Sequence, residues 1–252
     1  MPSFQHDNID IAYIDDGEGE PIVLVHGFAS NKEINWVLPG WTGALKRAGR
    51  RVIALDNRGH GQSSKPHDPA AYDMQSMAGD TLALLDHLKI ERADYLGYSM
   101  GGRIGMHLAL HHPDRIRSSS LGGIGASIIT GPGRRDQIIA ALEARSAAGI
   151  TDPVAKQFRV FAEQTKSDLA ALIACMGGLR VEFTEKELAS NKVPMLIVRG
   201  GDDDDIAGPA AEIARIIPGC EYIEVPHRNH MTVVGDQVFK DGVLAFLEKH
   251  GQ

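Results

Sequence analysis

Gly97-Tyr98-Ser99-Met100-Gly101 follows the apolar run Ala93-Asp94-Tyr95-Leu96 and precedes Gly102-Arg103-Ile104-Gly105-Met106-His107-Leu108-Ala109-Leu110-His111. The first flank reads as a short buried strand and the second as a helix. Ser99 therefore falls in a sharp strand-to-helix turn, the context that a G-x-S-x-G nucleophile elbow requires. A serine held in such a turn brings neighbouring backbone close, and glycines relieve the crowding. With 28 glycines in the chain, the pattern alone is a weak signal. Its partners elsewhere in the sequence must carry the reading.

Outward from this turn, the chain alternates strands and helices. Ile9–Ile14 alternates apolar and polar residues after an Asp7-Asn8 turn, which reads as an N-terminal hairpin. Ile22–Val25, Val52–Asp56, Ile116–Leu121, Met195–Arg199 and Tyr222–Val225 read as further strands. Continuous apolar runs of this kind suit parallel strands buried on both faces. A helix spans about Gln75–Leu88, and Pro113 stops the helix after the serine turn. The pattern implies an α/β fold with a mostly parallel sheet flanked by helices.

The alternation breaks between residues 124 and 192. Glycines open this stretch, and helical patterns follow around Arg135–Ala147, Val154–Thr165 and Asp168–Met176. Residues 1–123 and 193–252 are therefore expected to form the core, with residues 124–192 a small helical cap on it.

Bulk properties limit the function classes. The chain of 252 residues suits one large domain. Its net charge of −7 argues against a nucleic-acid partner and an anionic membrane surface. No apolar stretch approaches a membrane span, and the N-terminus lacks the pattern of a secretory signal. Cys175 and Cys220 are too few for a disulfide framework and have no metal-ligand spacing. Free buried thiols in a cytoplasmic protein are expected.

A serine hydroxyl needs a base, and the base needs an orienting acid. On this architecture they follow in the order Ser, acid, His. The first strand-end loop after Ser99, Gly122–Ala126, holds no carboxylate, whereas the loop after Met195–Arg199 reads Gly200-Gly201-Asp202-Asp203-Asp204-Asp205. The acid is in that run. Of the later histidines, His250 ends the last helix, leaving His227 and His230 as candidates. Two main-chain N–H groups must meet the oxyanion. Met100, after the serine, supplies one; Phe28, in the turn His26-Gly27-Phe28 after Val25, supplies the other. The Phe28 and Met100 side chains then line the acyl pocket, and His26 holds the turn.

These residues resemble the α/β-hydrolases over nearly the whole chain. The likeness rests on His26-Gly27-Phe28, Asp56-Asn57-Arg58-Gly59-His60-Gly61-Gln62-Ser63, Gly97–Gly102, Gly200–Asp203 and His230. It implies Asp203 as the acid, with Asp204 as second choice, and His230 as the base, although Asn229 stands where the family usually has glycine. Asp56 and Arg58 look structural. The resemblance implies a serine hydrolase for small to medium carboxylic esters, without metal or other cofactor. Runner-up readings are a lactonase of the 3-oxoadipate enol-lactonase type, a carbon–carbon bond hydrolase and a cofactor-free perhydrolase. A small-ligand receptor on the same fold is the non-enzyme alternative. Phe28, Phe158, Phe161, Met176 and Leu179 are the candidate substrate-pocket residues, and Arg134, Arg135 and Arg180 the candidate anchors for an acidic substrate.

Overall fold

The computed structural model describes residues 2–131, 133–179 and 183–251. Arg180 lies outside the described residues. The chain opens with the hairpin β1 (Ser3–His6) and β2 (Ile9–Asp16). Asp7 and Asn8 between them have φ of 50° and 61°, the pair of positive φ values that a tight hairpin turn demands. Then come β3 (Glu20–Val25), α1 (Trp41–Arg47), β4 (Arg50–Leu55), α2 (Met74–His87), β5 (Ala93–Tyr98), α3 (Met100–His111) and β6 (Ile116–Gly122). Short helices α4 (Ser127–Thr130) and α5 (Arg135–Glu143) precede α6 (Pro153–Gln164), α7 (Leu169–Gly178) and α8 (Glu185–Ala189). The chain closes with β7 (Met195–Gly200), α9 (Ala211–Ile216), β8 (Glu221–Val225) and α10 (Gln237–His250).

The strands form one eight-stranded sheet in the order β1-β2-β4-β3-β5-β6-β7-β8. The β1–β2 and β2–β4 pairs are antiparallel, and all others are parallel. The continuous apolar runs are explained by packing on two faces. Val23, Val25, Ile53, Leu55, Tyr95 and Leu121 join a cluster with Ile104 and Leu108 of α3. The alternate residues Ile22, Leu24, Val52, Ala54 and Leu96 join a second cluster with Trp41 of α1 and Phe239 and Val243 of α10. Both faces are dry, so each strand carries little polar punctuation.

Parallel strands bring their C-terminal ends to one edge, where ligand sites of open α/β sheets form. His26-Gly27-Phe28, Ser99, the acidic run after β7 and the histidines after β8 all emerge there. Asp56, at the end of β4, accepts from the main-chain N–H groups of Lys32 and Gln62, each at 2.8 Å, and pairs with the Lys32 ammonium; both side chains are buried. Arg58 is forked onto Asp80 at 2.7 Å from both Nε and Nη2. Both residues brace loops.

Among the described residues, the stretch between β6 and β7 contains helices and no strand. The helix expected over Arg135–Ala147 ends early, at Glu143. Arg159 of α6, buried, donates to the carbonyls of Ala141 and Leu142 at 2.9 and 3.1 Å, taking up acceptors that the helix end leaves unsatisfied. Asp152 caps α6 through the Ala155 N–H at 2.8 Å, with Pro153 at the first helical position.

Candidate active site

Ser99 has φ 54° and ψ −108°, a conformation that non-glycine residues avoid and that costs about 1–3 kcal/mol. Several contacts impose it. The Ser99 N–H donates to the Gly122 carbonyl at 2.8 Å, and the Tyr95 hydroxyl donates to the Gly101 carbonyl at 2.6 Å. A Cβ on Gly97 would collide with the Gly101 carbonyl, and one on Gly101 with the Val25 carbonyl. The two glycines let β5, α3 and the end of β3 converge on the serine.

His230 Nε2 lies 2.9 Å from Ser99 Oγ, and its Nδ1 lies 2.7 Å from Asp203 Oδ2. Asp203 is 2% exposed and His230 5% exposed, so this chain of hydrogen bonds runs in a largely dry setting. The other Asp203 oxygen accepts from the Ala207 N–H at 3.2 Å. The four adjacent aspartates thus part company. Asp202 is exposed, Asp204 pairs with Arg199 with its side chain 81% exposed, and Asp205 pairs with Arg134 at 3.2 Å. His227 is exposed at φ 58°.

The turn after β3 is held from several sides. His26 Nδ1 donates to the Gly27 carbonyl at 2.8 Å, while its Nε2 accepts from the Asn57 N–H at 3.0 Å. Burial lowers the basicity of this imidazole, in keeping with an acceptor at Nε2. The Gly27 N–H donates to Asn35 Oδ1 at 2.8 Å. Among the described residues, neither the Phe28 nor the Met100 N–H has a main-chain or side-chain acceptor. The Phe28 ring meets His60 and Phe158 edge-on at 5.8 and 5.9 Å. Burial pushes His60 down to about 3, and neighbouring His26 adds to the effect.

Four of the five expected pocket residues, Phe28, Phe158, Met176 and Leu179, surround Ser99 and Met100 in a cleft with an empty volume of about 810 Å³, counting its open mouth. Phe161 does not line this cleft; it faces a second cavity on the His230 side. Helical spacing places both phenylalanines on one broad face, but the two sit on adjoining stripes that diverge at the site. Arg134 lines the cleft, paired with Asp152 and Asp205. Arg135 is spent on structure, its Nε donating to the Met176 carbonyl at 2.7 Å.

Three residues that sequence reasoning missed hold the site. The Tyr98 hydroxyl donates to the His230 carbonyl, and its ring lies 5.4 Å from the imidazole. Asn35 anchors Gly27, and Asn57 orients His26. Tyr98 stood inside the quoted motif, but nothing local revealed a partner 132 residues away. No sequence pattern marked Asn35.

A family described as alpha/beta hydrolase fold matches residues 20–124. Among curated relatives, the dihydrolipoyllysine-residue acetyltransferase component of an acetoin cleaving system from Pseudomonas putida is 32% identical over 92% of this chain; the chain spans 64% of that protein's length. Solved structures match nearly end to end. A hydrolase from Pseudomonas aeruginosa PA01 is 29% identical, with TM-score 0.80 over 98% of this chain and 97% of that one. The enol-lactonase from Burkholderia xenovorans LB400 is 26% identical, with TM-score 0.76 over 98% of this chain and all of that one. The strand order, the serine turn after β5 and this likeness along the whole chain agree, and the protein belongs to the α/β-hydrolase superfamily.

Proposed function

We propose that the protein hydrolyses small to medium carboxylic esters through an acyl-enzyme at Ser99. The observation that carries this reading is the pair of hydrogen bonds linking Ser99 Oγ, His230 and Asp203 at 2.9 and 2.7 Å. Ser99 Oγ attacks the ester carbonyl as His230 Nε2 takes its proton. Asp203 holds the imidazole in the tautomer with hydrogen on Nδ1 and stabilises the cation that forms. The developing oxyanion meets the N–H groups of Phe28 and Met100, the latter also at the positive end of α3. The imidazolium then gives its proton to the leaving alkoxide oxygen as the carbon–oxygen bond breaks. Water, deprotonated by His230, attacks the acyl carbon, and the carboxylic acid leaves as Ser99 recovers its proton. Residues 124–192 act as the cap over this chemistry. The apolar lining by Phe28, Phe158, Met176 and Leu179 suits a hydrocarbon acyl group.

Lactone opening is the second reading, favoured by the likeness to the Burkholderia enol-lactonase along the whole chain. It needs the same attack on a cyclic ester, with acid and alcohol remaining one molecule. A fluorophosphonate probe and p-nitrophenyl acetate test the common core. Labelling and turnover in the wild type, both lost in Ser99→Ala, are expected. A folded wild-type protein that is neither labelled nor active overturns the enzyme reading in favour of a ligand receptor. A panel of acyclic esters and lactones separates the two hydrolytic readings.

A further inference from the structure

The Ser99–His230 hydrogen bond has a different cavity on each side. Ser99 lines the cleft with Phe28 and Met100. His230 lines a second cavity, of about 1410 Å³ with its open mouth, which also reaches Tyr98 and Asn35. Helix α6 is a wall of both. Val154 and Phe158, one turn apart, border the first cleft. Gln157, Val160, Phe161 and Gln164 border the second. Their spacings of three, four and seven residues make a single stripe beside the Val154–Phe158 stripe. The helix is tied to the turn after β3 at its C-terminal end, where Thr165 Oγ1 donates to the Ala29 carbonyl at 3.0 Å. Phe158 packs on Phe28 along the same border.

We infer that α6 sorts the substrate, receiving the acyl group on its Val154–Phe158 stripe and the leaving alcohol on its Gln157–Gln164 stripe. This rests on the ester-hydrolase reading. During attack the acyl carbon sits on Ser99 Oγ with its oxygen toward Phe28 and Met100, two residues of the first cleft. The leaving oxygen must come within proton-transfer reach of His230 Nε2, and His230 opens onto the second cavity. The first cleft is lined by hydrocarbon, including Ile138, Met176 and Leu179, with Arg134 and Asp205 also on its wall. The second is also lined by hydrocarbon, including Val160, Phe161, Met231 and Val234, but its rim carries the exposed polar groups of Lys156, Gln157 and Gln164. The substrate class is therefore an ester of an acid with an apolar chain and an alcohol whose polar end reaches the rim, and a carboxylate on that alcohol gains from Lys156.

The test uses three butyrate esters, with methanol, glycerol and glycolate as the leaving alcohols, in pre-steady-state kinetics. All three give the same butyryl-enzyme, so deacylation is blind to the alcohol. Gln157→Trp, at an exposed site, is expected to slow acylation by the glycerol ester about tenfold relative to the methyl ester, with deacylation unchanged. Lys156→Glu is expected to lower kcat/KM for the glycolate ester about tenfold relative to the glycerol ester. Phe158→Leu should alter both acylation and deacylation, in a manner that depends on acyl length, and leave the ratio between alcohols intact. If Gln157→Trp changes deacylation, or neither rim variant moves the discrimination between alcohols, the assignment of α6 is overturned. In that outcome fluorophosphonate labelling of Ser99 persists and the ester-hydrolase reading stands. Absence of labelling in the wild type removes both.

Discussion

Replacing Ser99 with glycine should abolish activity and leave the protein more stable than replacing it with alanine does. At φ 54° and ψ −108°, the serine stores strain of about 1–3 kcal/mol. Glycine adopts this conformation freely but gives back about 0.4–1 kcal/mol by enlarging the freedom of the unfolded chain. The net gain spans about 0–2.6 kcal/mol, with about 1–2 kcal/mol its central range, relative to alanine, which keeps the Cβ and the strain. Ser99→Ala is the right reference, because both variants lose the hydroxyl and its hydrogen bond to His230. For a chain of this size each kcal/mol moves Tm by about 2–4 °C, so Ser99→Gly should melt about 2–8 °C above Ser99→Ala. Calorimetry of the two variants side by side measures the difference, with ester hydrolysis at background in both. If Ser99→Gly melts at or below Ser99→Ala, the turn is not strained and the reasoning fails.

Ser99→Ala or His230→Ala should each lower kcat by up to about 10⁶, whereas His227→Ala should be nearly silent in the same ester assay; the reverse result at the histidines reassigns the base. Asp203→Asn should lower kcat by about 10⁴ through loss of the tautomer control at His230, while Asp204→Asn, whose side chain is 81% exposed, should leave kcat intact. Lys32→Ala leaves the buried Asp56 carboxylate without its cation and should cost about 3–5 kcal/mol in urea unfolding; a cost under about 1 kcal/mol, the range of exposed pairs, refutes its burial as a pair. Acid should destabilise the protein through His60. The unfolded histidine takes up its proton below about pH 6.5, whereas folded His60 stays neutral down to about 3. Stability present at neutral pH is thus lost as pH falls through that window, by about 2 kcal/mol at pH 5 from this residue alone. Urea midpoints at pH 7 and pH 5 should show the loss, and His60→Gln should shrink it; an unchanged pH dependence in that variant sinks the assignment.

The sequence made the sheet legible because its strands are buried on both faces, so runs such as Ile22–Val25 and Met195–Arg199 lack polar interruption. It made Ser99 legible because the glycines around it answer a steric demand visible within five residues. The contacts that hold the turn after β3 were hidden. Asn35 and Asn57 act through main-chain N–H groups across loops, and a polar residue in a loop gives no sign of what it meets. That Phe161 faces the His230 side rather than the Ser99 cleft was hidden, because helical periodicity reports a buried face without saying that two cavities share it. The early end of α5 at Glu143 depended on Arg159, which arrives from another helix.

The position of His230 along the sheet has a consequence for how activity is lost. Ser99 follows a fully buried central strand, whereas His230 follows β8, the half-exposed strand at the sheet's far edge. The two residues are 131 positions apart, and three strand pairings lie between them. The imidazole therefore reaches the hydroxyl only after the last pairing has closed, a late and non-local event in folding. Edge strands also open at lower free energy than the strands they border. On warming, β8 should fray and draw the imidazole away from the Ser99 hydroxyl, which stays seated in an intact turn. On the proposed mechanism, hydrolysis should then report on the integrity of the far edge of the sheet, with inactivation preceding the melting of the centre.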